Sequence, residues 1–181
     1  MHLEDLNILV TGGAGFIGSN VVEALILRGA KFVRILDNLS TGFLANIQPF
    51  LDSYPQVEFL YGDLSNLEIC RKACEGIDVI CHQGALGSVP RSIADPLGSH
   101  KSNVDGTFNL FLAAHEKGIK RIAYASSSSV YGDEDFLPKI ESKIGDELSP
   151  YAVTKHVCEL YGKIFSRVFG METVGMRYFN V

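Results

Sequence analysis

Three glycines set three residues apart, in Thr11-Gly12-Gly13-Ala14-Gly15-Phe16-Ile17-Gly18, constrain this chain more than any other feature. They follow an almost wholly apolar run, Asn7-Ile8-Leu9-Val10-Thr11, which reads as a strand buried on both faces. They precede a helical stripe of Val21, Val22, Leu25 and Ile26, which spans Gly18 to Arg28 and closes at Gly29. In such a strand–turn–helix unit the first glycine permits the tight turn and the second lets a ligand approach the backbone. The third lets the helix pack close on the sheet. The helix N-terminus then offers free N–H groups and a partial positive charge to an anion.

The rest of the chain repeats the alternation. Strands are predicted at Phe32–Leu36, Val57–Tyr61, Val79–His82, Arg121–Ser126 and Thr173–Phe179. Between them lie a short helix over Leu67–Cys74, a long one from Asp95-Pro96 to about Lys117, and another from Ser149-Pro150 to about Val168. This order argues for an α/β fold, a doubly wound parallel sheet of the Rossmann type with helices on both faces. The segment from Gly132 to Leu148 is long, polar and acidic, and is expected to lie over the surface near a site.

At 181 residues the chain is one-domain sized. A net charge of -5 and a pI near 5.5 leave no electrostatic footprint for nucleic acid. A polyanion must then be held by local devices. No stretch reads as a signal peptide or a membrane span. The 4 cysteines, Cys70, Cys74, Cys81 and Cys158, complete no metal site and read as reduced packing residues of a cytoplasmic protein.

Asp37 ends the second strand about 20 residues beyond the last glycine. A carboxylate there accepts from the adenosine ribose hydroxyls and repels a 2′-phosphate, which favours NAD over NADP. Asp63, just past the third strand, is placed to accept from the adenine amino group.

A second constellation is Tyr151-Ala152-Val153-Thr154-Lys155, whose spacing of four sets Tyr151 and Lys155 on one helix face. A phenol titrates near 10, so using Tyr151 as a base at neutral pH costs about 4 kcal/mol. The expectation is that the Lys155 ammonium and the helix dipole lower that cost. Upstream, Ser126-Ser127-Ser128-Ser129 ends the fifth strand, where a hydroxyl can donate to a developing oxyanion and exchange a proton with Tyr151. The run alone does not single out one serine.

Together the glycine turn, Tyr151 with Lys155, and the serines before Val130-Tyr131-Gly132 resemble the extended short-chain dehydrogenase/reductases that act on nucleotide sugars. More narrowly, Ala85-Leu86-Gly87-Ser88-Val89-Pro90-Arg91-Ser92 is similar to the loop of UDP-N-acetylglucosamine 4-epimerases. Leu137-Pro138-Lys139, Leu148-Ser149-Pro150-Tyr151 and Arg177-Tyr178-Phe179-Asn180 are similar to that subgroup too. The resemblance implies that Tyr151 takes the proton of the sugar 4-hydroxyl while hydride passes from C4 to NAD+. The 4-keto sugar then turns over and receives hydride on its other face. It implies Ser127 as the catalytic hydroxyl and Lys155 as the nicotinamide-ribose contact. By the same resemblance Gly12, Gly15, Phe16, Ile17, Gly18, Asp37, Asn38, Asp63, Leu64, Gln83, Ala85, Asn103, Tyr151, Lys155 and Tyr178 hold the cofactor. Ser88, Val89, Ser127, Ser128, Tyr151 and Asn180 meet the UDP-sugar, with Ser129 beside them. Gln83-Gly84 departs from the small residues that relatives carry after the histidine of the fourth strand.

Family members continue past Tyr-Phe-Asn-Val into a smaller domain that closes over the UDP group. Residues 1–181 are therefore expected to be the cofactor portion of such an enzyme, binding NAD and turning over poorly alone. A homodimer through the helices around Phe108 and Tyr151 is also implied. Related 4,6-dehydratases carry an Asp-Glu pair where this chain has Ser128 and Ser129, which argues against dehydration. A UDP-glucuronate decarboxylase and a non-catalytic dinucleotide-sensing module stay open as alternatives, and which hexose is preferred is not legible.

Overall fold

A computed structural model describes residues 2–181. Six parallel strands form one sheet: β1 (Asn7–Thr11), β2 (Phe32–Asp37), β3 (Val57–Tyr61), β4 (Val79–His82), β5 (Arg121–Ser127) and β6 (Glu172–Tyr178), in the order β3-β2-β1-β4-β5-β6. The order reverses direction between β1 and β4, and in open parallel sheets a crevice opens at such a point. Leu9 and Val10, adjacent on β1, are both fully buried and belong to different core clusters, one on each face of the sheet.

Helices cover both faces: α1 (Phe16–Leu27), α2 (Gln48–Ser53), α3 (Leu67–Ala73), α4 (Val89–Ala94), α5 (Pro96–His100), α6 (Gly106–Glu116) and α7 (Pro150–Phe169). The Ser149 hydroxyl caps α7 by accepting from Ala152 N, as the Ser149-Pro150 pair predicts. Gly170, in the left-handed region, ends that helix. One prediction needs correcting. The long helix expected from residue 95 to 117 is interrupted by a π-helical turn, Lys101–Asp105, between α5 and α6. The short α2 and α4 are additional to the predicted elements. All four cysteines are free, with Cys81 half-buried and the other three buried.

Candidate active site

A cleft of about 510 Å³ runs along the C-terminal ends of β1, β2, β4 and β5. Its floor is the glycine turn. Gly12 has φ +66, and a Cβ there would lie 2.7 Å from the Gly84 Cα. The exits of β1 and β4 thus meet as bare backbone at the switch point. A Cβ on Gly18 would overlap the Gly12 carbonyl oxygen. Helix α1 starts on Gly15 without a side-chain cap, and Gly12, Gly15, Phe16, Ile17 and Gly18 all line the cleft. Uncapped first-turn N–H groups at that lip suit a pyrophosphate.

At one end, Asp37 accepts from Ala14 N (2.9 Å) through Oδ2 and from Leu39 N (2.8 Å) through Oδ1. These bonds fix the carboxylate and hold Leu39 at φ 57. Asp63 accepts from Asn38 Nδ2 (2.7 Å) and Ser65 N (2.8 Å). Burial pushes the Asp63 carboxyl up, but these hydrogen bonds and Lys101 outweigh it and leave it below the usual range. Asp37, Asn38, Asp63, Leu64, Gln83 and Ala85 line this half and the middle of the cleft. The Gln83 Oε1 is buried and has no hydrogen-bond partner, as a wall awaiting a polar ligand would have. The bare glycine floor, the open helix start, the fixed Asp37 carboxylate and this orphaned oxygen fit NAD.

The other end holds Ser88, Ser127, Ser128, Tyr151, Lys155, Tyr178 and Asn180. Ser127 Oγ accepts from Ser129 N (3.1 Å) and Ser129 Oγ (2.9 Å), which leaves its own proton to turn toward the cleft that it lines together with Tyr151. Ser129 is therefore a support for Ser127 and does not face the cleft. The expected lowering of the Tyr151 pKa by Lys155 is not found. Burial raises the phenol above its ordinary 10, against the pull of Ser127. Lys155 is 4% exposed and donates from Nζ to the Ala125 carbonyl at 2.9 Å, and burial lowers its own pKa. The sequence spacing placed both groups on one face but could not show a backbone carbonyl taking up the ammonium.

Three further expectations change. Asn103 is fully buried and lies outside the cleft wall. Its Oδ1 accepts from Leu86 N (2.7 Å), and its Nδ2 donates to Leu86 O (3.2 Å) and Thr154 Oγ1 (3.1 Å). Val89, the first residue of α4, also lies off the wall, and its carbonyl accepts from Ser92 Oγ. Ser88 lines the cleft while capping α4. The 132–148 segment contributes nothing to this wall; it lies against α7 and β6, where Glu147 pairs with His156 and the Glu141 carbonyl accepts from Arg177.

Residues that no sequence motif marks also support the site. His82 bridges Thr11 Oγ1 (2.6 Å) and Thr107 Oγ1 (3.0 Å), and burial with Lys155 nearby pushes its pKa down to about 3, so the ring is neutral. Thr11 Oγ1 also accepts from Gly84 N. Ser92 Oγ accepts from Tyr151 N at 3.0 Å. Glu159 stands one turn beyond Lys155 on α7, a spacing that could have drawn notice.

Residues 8–181 match the NAD dependent epimerase/dehydratase family. The chain is 39% identical over 176 residues to a putative UDP-glucose 4-epimerase of Methanocaldococcus jannaschii, covering 96% of this chain and 55% of that protein. It superposes with a TM-score of 0.90 and 39% identity on a UDP-N-acetylglucosamine 4-epimerase from Methanobrevibacter ruminantium in complex with UDP-N-acetylmuramic acid, covering 97% of this chain and 55% of that one. A UDP-glucose 4-epimerase from Brucella ovis in complex with NAD gives a TM-score of 0.88 at 30% identity, covering 97% and 52%. The chain thus spans about half the length of the relatives it matches.

Proposed function

The chain belongs to the NAD dependent epimerase/dehydratase family, and from that premise we propose that residues 1–181 carry the cofactor half of a nucleotide-sugar 4-epimerase. The family's cofactor is NAD. When bound, NAD supplies a reversible hydride acceptor. Gly12, Gly15 and Gly18 hold its pyrophosphate, Asp37 and Asn38 its adenosine ribose, and Asp63 its adenine. Gln83, Ala85, Lys155 and Tyr178 face the nicotinamide end. Tyr151 takes the proton of the sugar 4-hydroxyl and returns it, and Ser127 donates to the oxygen that loses it. Ser88, Ser128 and Asn180 orient the sugar.

One observation carries this choice. Among the described residues the acidic side chains on the cleft wall are Asp37 and Asp63, both at the adenosine end; the sugar end has hydroxyls and Lys155 and no acidic side chain. Eliminating water needs an acid and a base beside the sugar carbons, whereas 4-epimerisation needs one proton and one hydride moved and moved back. The substrates proposed are UDP-GlcNAc and UDP-GalNAc, or UDP-glucose and UDP-galactose, in keeping with the names of the relatives.

Residues closing over the uridine are assigned to the part of the relatives that this chain does not span, so turnover by 1–181 alone is slow. The exposed Phe108 of α6 and the Leu160, Ile164 and Val168 row of α7 support a homodimer through these helices. Among the described residues no helix is long and apolar enough to cross a membrane; a cytoplasmic setting is our reading of the reduced cysteines.

The test mixes the chain with NAD and UDP-GlcNAc and follows the anomeric signals by NMR, with NAD binding measured by calorimetry. Slow appearance of UDP-GalNAc supports the assignment. A 4-keto-6-deoxy product would replace it with a dehydratase, rapid turnover would overturn the half-site reading, and NAD binding without conversion would favour the sensing module.

A further inference from the structure

Tyr151, Lys155 and Glu159 stand four residues apart and share one face of α7. Each meets a different one of the last three residues of β5. Lys155 Nζ donates to the Ala125 carbonyl, Ser126 Oγ donates to Glu159 Oε1 at 2.5 Å, and Ser127 lines the cleft with Tyr151 as the polar neighbour that pulls its phenol down. Only the last of these contacts moves a proton in the proposed reaction.

Glu159 is 7% exposed, and Arg177 grips it with two parallel bonds, Nε to Oε1 and Nη2 to Oε2, both 2.8 Å. Arg177 lies on β6 directly opposite Ser126 in the parallel register. Its guanidinium also sits 4.7 Å over the Tyr131 ring, at the end of the short 3-10 turn Ser128–Tyr131 that follows Ser127. The pair is thus tied to the residue before Ser127 and to the turn after it. Burial pushes the Glu159 carboxyl up, but Arg177 and Ser126 outweigh it and hold the group below the usual carboxylate range. A buried ion pair is a weak device for stability, since apolar residues of equal volume serve as well or better. What it supplies here is direction.

We propose that Glu159 and Arg177 are positioning residues: through Ser126 and Tyr131 they set the angle at which Ser127 addresses Tyr151. The inference rests on Ser127 and Tyr151 being the proton-transfer pair, and is independent of which sugar is bound.

The test is a titration of the ligand-free chain carrying 3-fluorotyrosine, whose more acidic phenol ionises while the fold persists. Fluorine NMR reads each ring, and Tyr151→Phe identifies the signal. Ser127→Ala is expected to raise the Tyr151 midpoint, because it removes a bond to the phenolate. Glu159→Gln and Ser126→Ala are expected to raise it as well, by at least threefold in the ionisation constant, and to add nothing in the Ser127→Ala background. The sign is diagnostic, because deleting the Glu159 charge acts through space in the opposite direction and makes the phenol more acidic. A midpoint that falls or stays fixed in Ser126→Ala overturns the proposal, as does a Glu159→Gln effect that persists without Ser127. Ser126→Ala removes one hydroxyl and keeps the ion pair, so it decides the matter if Glu159→Gln does not fold. Calorimetry with NAD on the parent chain reads the cofactor assignment separately.

Discussion

The Asn103 side chain closes both backbone hydrogen bonds of Leu86, accepting from its N–H at 2.7 Å and donating to its carbonyl at 3.2 Å. Leu86 sits between Ala85 and Ser88 on the cleft wall, so this clamp shapes the wall from behind. The remaining Asn103 donor reaches Thr154, whose hydroxyl donates to the Tyr151 carbonyl. Loop, π-helical turn and α7 are joined through one amide.

Asn103→Ala is accordingly expected to lower the unfolding free energy by about 3 kcal/mol, the combined effect of lost bonds and partly buried backbone groups left unpaired. Urea unfolding reads the loss, and hydrogen exchange at the Leu86 amide locates it. An unchanged midpoint with unchanged Leu86 protection contradicts the clamp.

Gly12 and Gly84 face each other but differ in tolerance. Gly12→Ala combines a left-handed backbone with overlap against Gly84 main-chain atoms, and the conformational part alone costs about 1–2 kcal/mol. The heat of NAD binding is expected to vanish in this variant. Gly84→Ala meets first the tip of the Leu64 side chain, at 2.8 Å, which can turn aside. That variant is expected to keep NAD affinity within about threefold, or less than 1 kcal/mol.

Asp37→Asn keeps the shape of the side chain and removes its charge. The preference for NAD over NADP, measured as the ratio of dissociation constants, is expected to fall at least tenfold, about 1.4 kcal/mol. An unchanged ratio places the discrimination elsewhere in the Asn38–Thr41 segment.

His82 predicts the acid side of the stability profile. Its folded pKa is depressed to about 3 from 6.5, so the unfolded chain binds the extra proton. Stability is complete above about pH 6.5 and falls as pH drops toward 3, with about 2 kcal/mol lost by pH 5. Urea midpoints at pH 7.5 and 5 measure the slope, and His82→Gln is expected to remove this part of it.

All six strands could be read from the residues, because β-branched and apolar runs bounded by glycine or polar residues leave few alternatives. The glycine turn and the Tyr151–Lys155 spacing were legible for the same reason: their meaning is local. Helices α2 and α4 were not, since six residues with an early proline carry no period. Nothing in Lys101-Ser102-Asn103-Val104-Asp105 marks a π-helical turn; long-range bonds to Leu86 and Thr154 hold it. The electrostatics of Tyr151 were likewise not legible, because the burial that raises its phenol arises only when distant segments close around it.

The π-helical turn fits one more residue into its loop than a regular spiral would. It therefore acts as a phase shift, turning α6 by about 100° relative to α5, the angular step of one residue. Ahead of it Ser99 is buried beside α4 and α7, and beyond it Leu110, Phe111, Ala113 and Ala114 enter the core. Deleting Ser102 would keep the buried Asn103 and Val104 yet set the two halves out of step. Length is as fixed in this segment as the identity of Asn103.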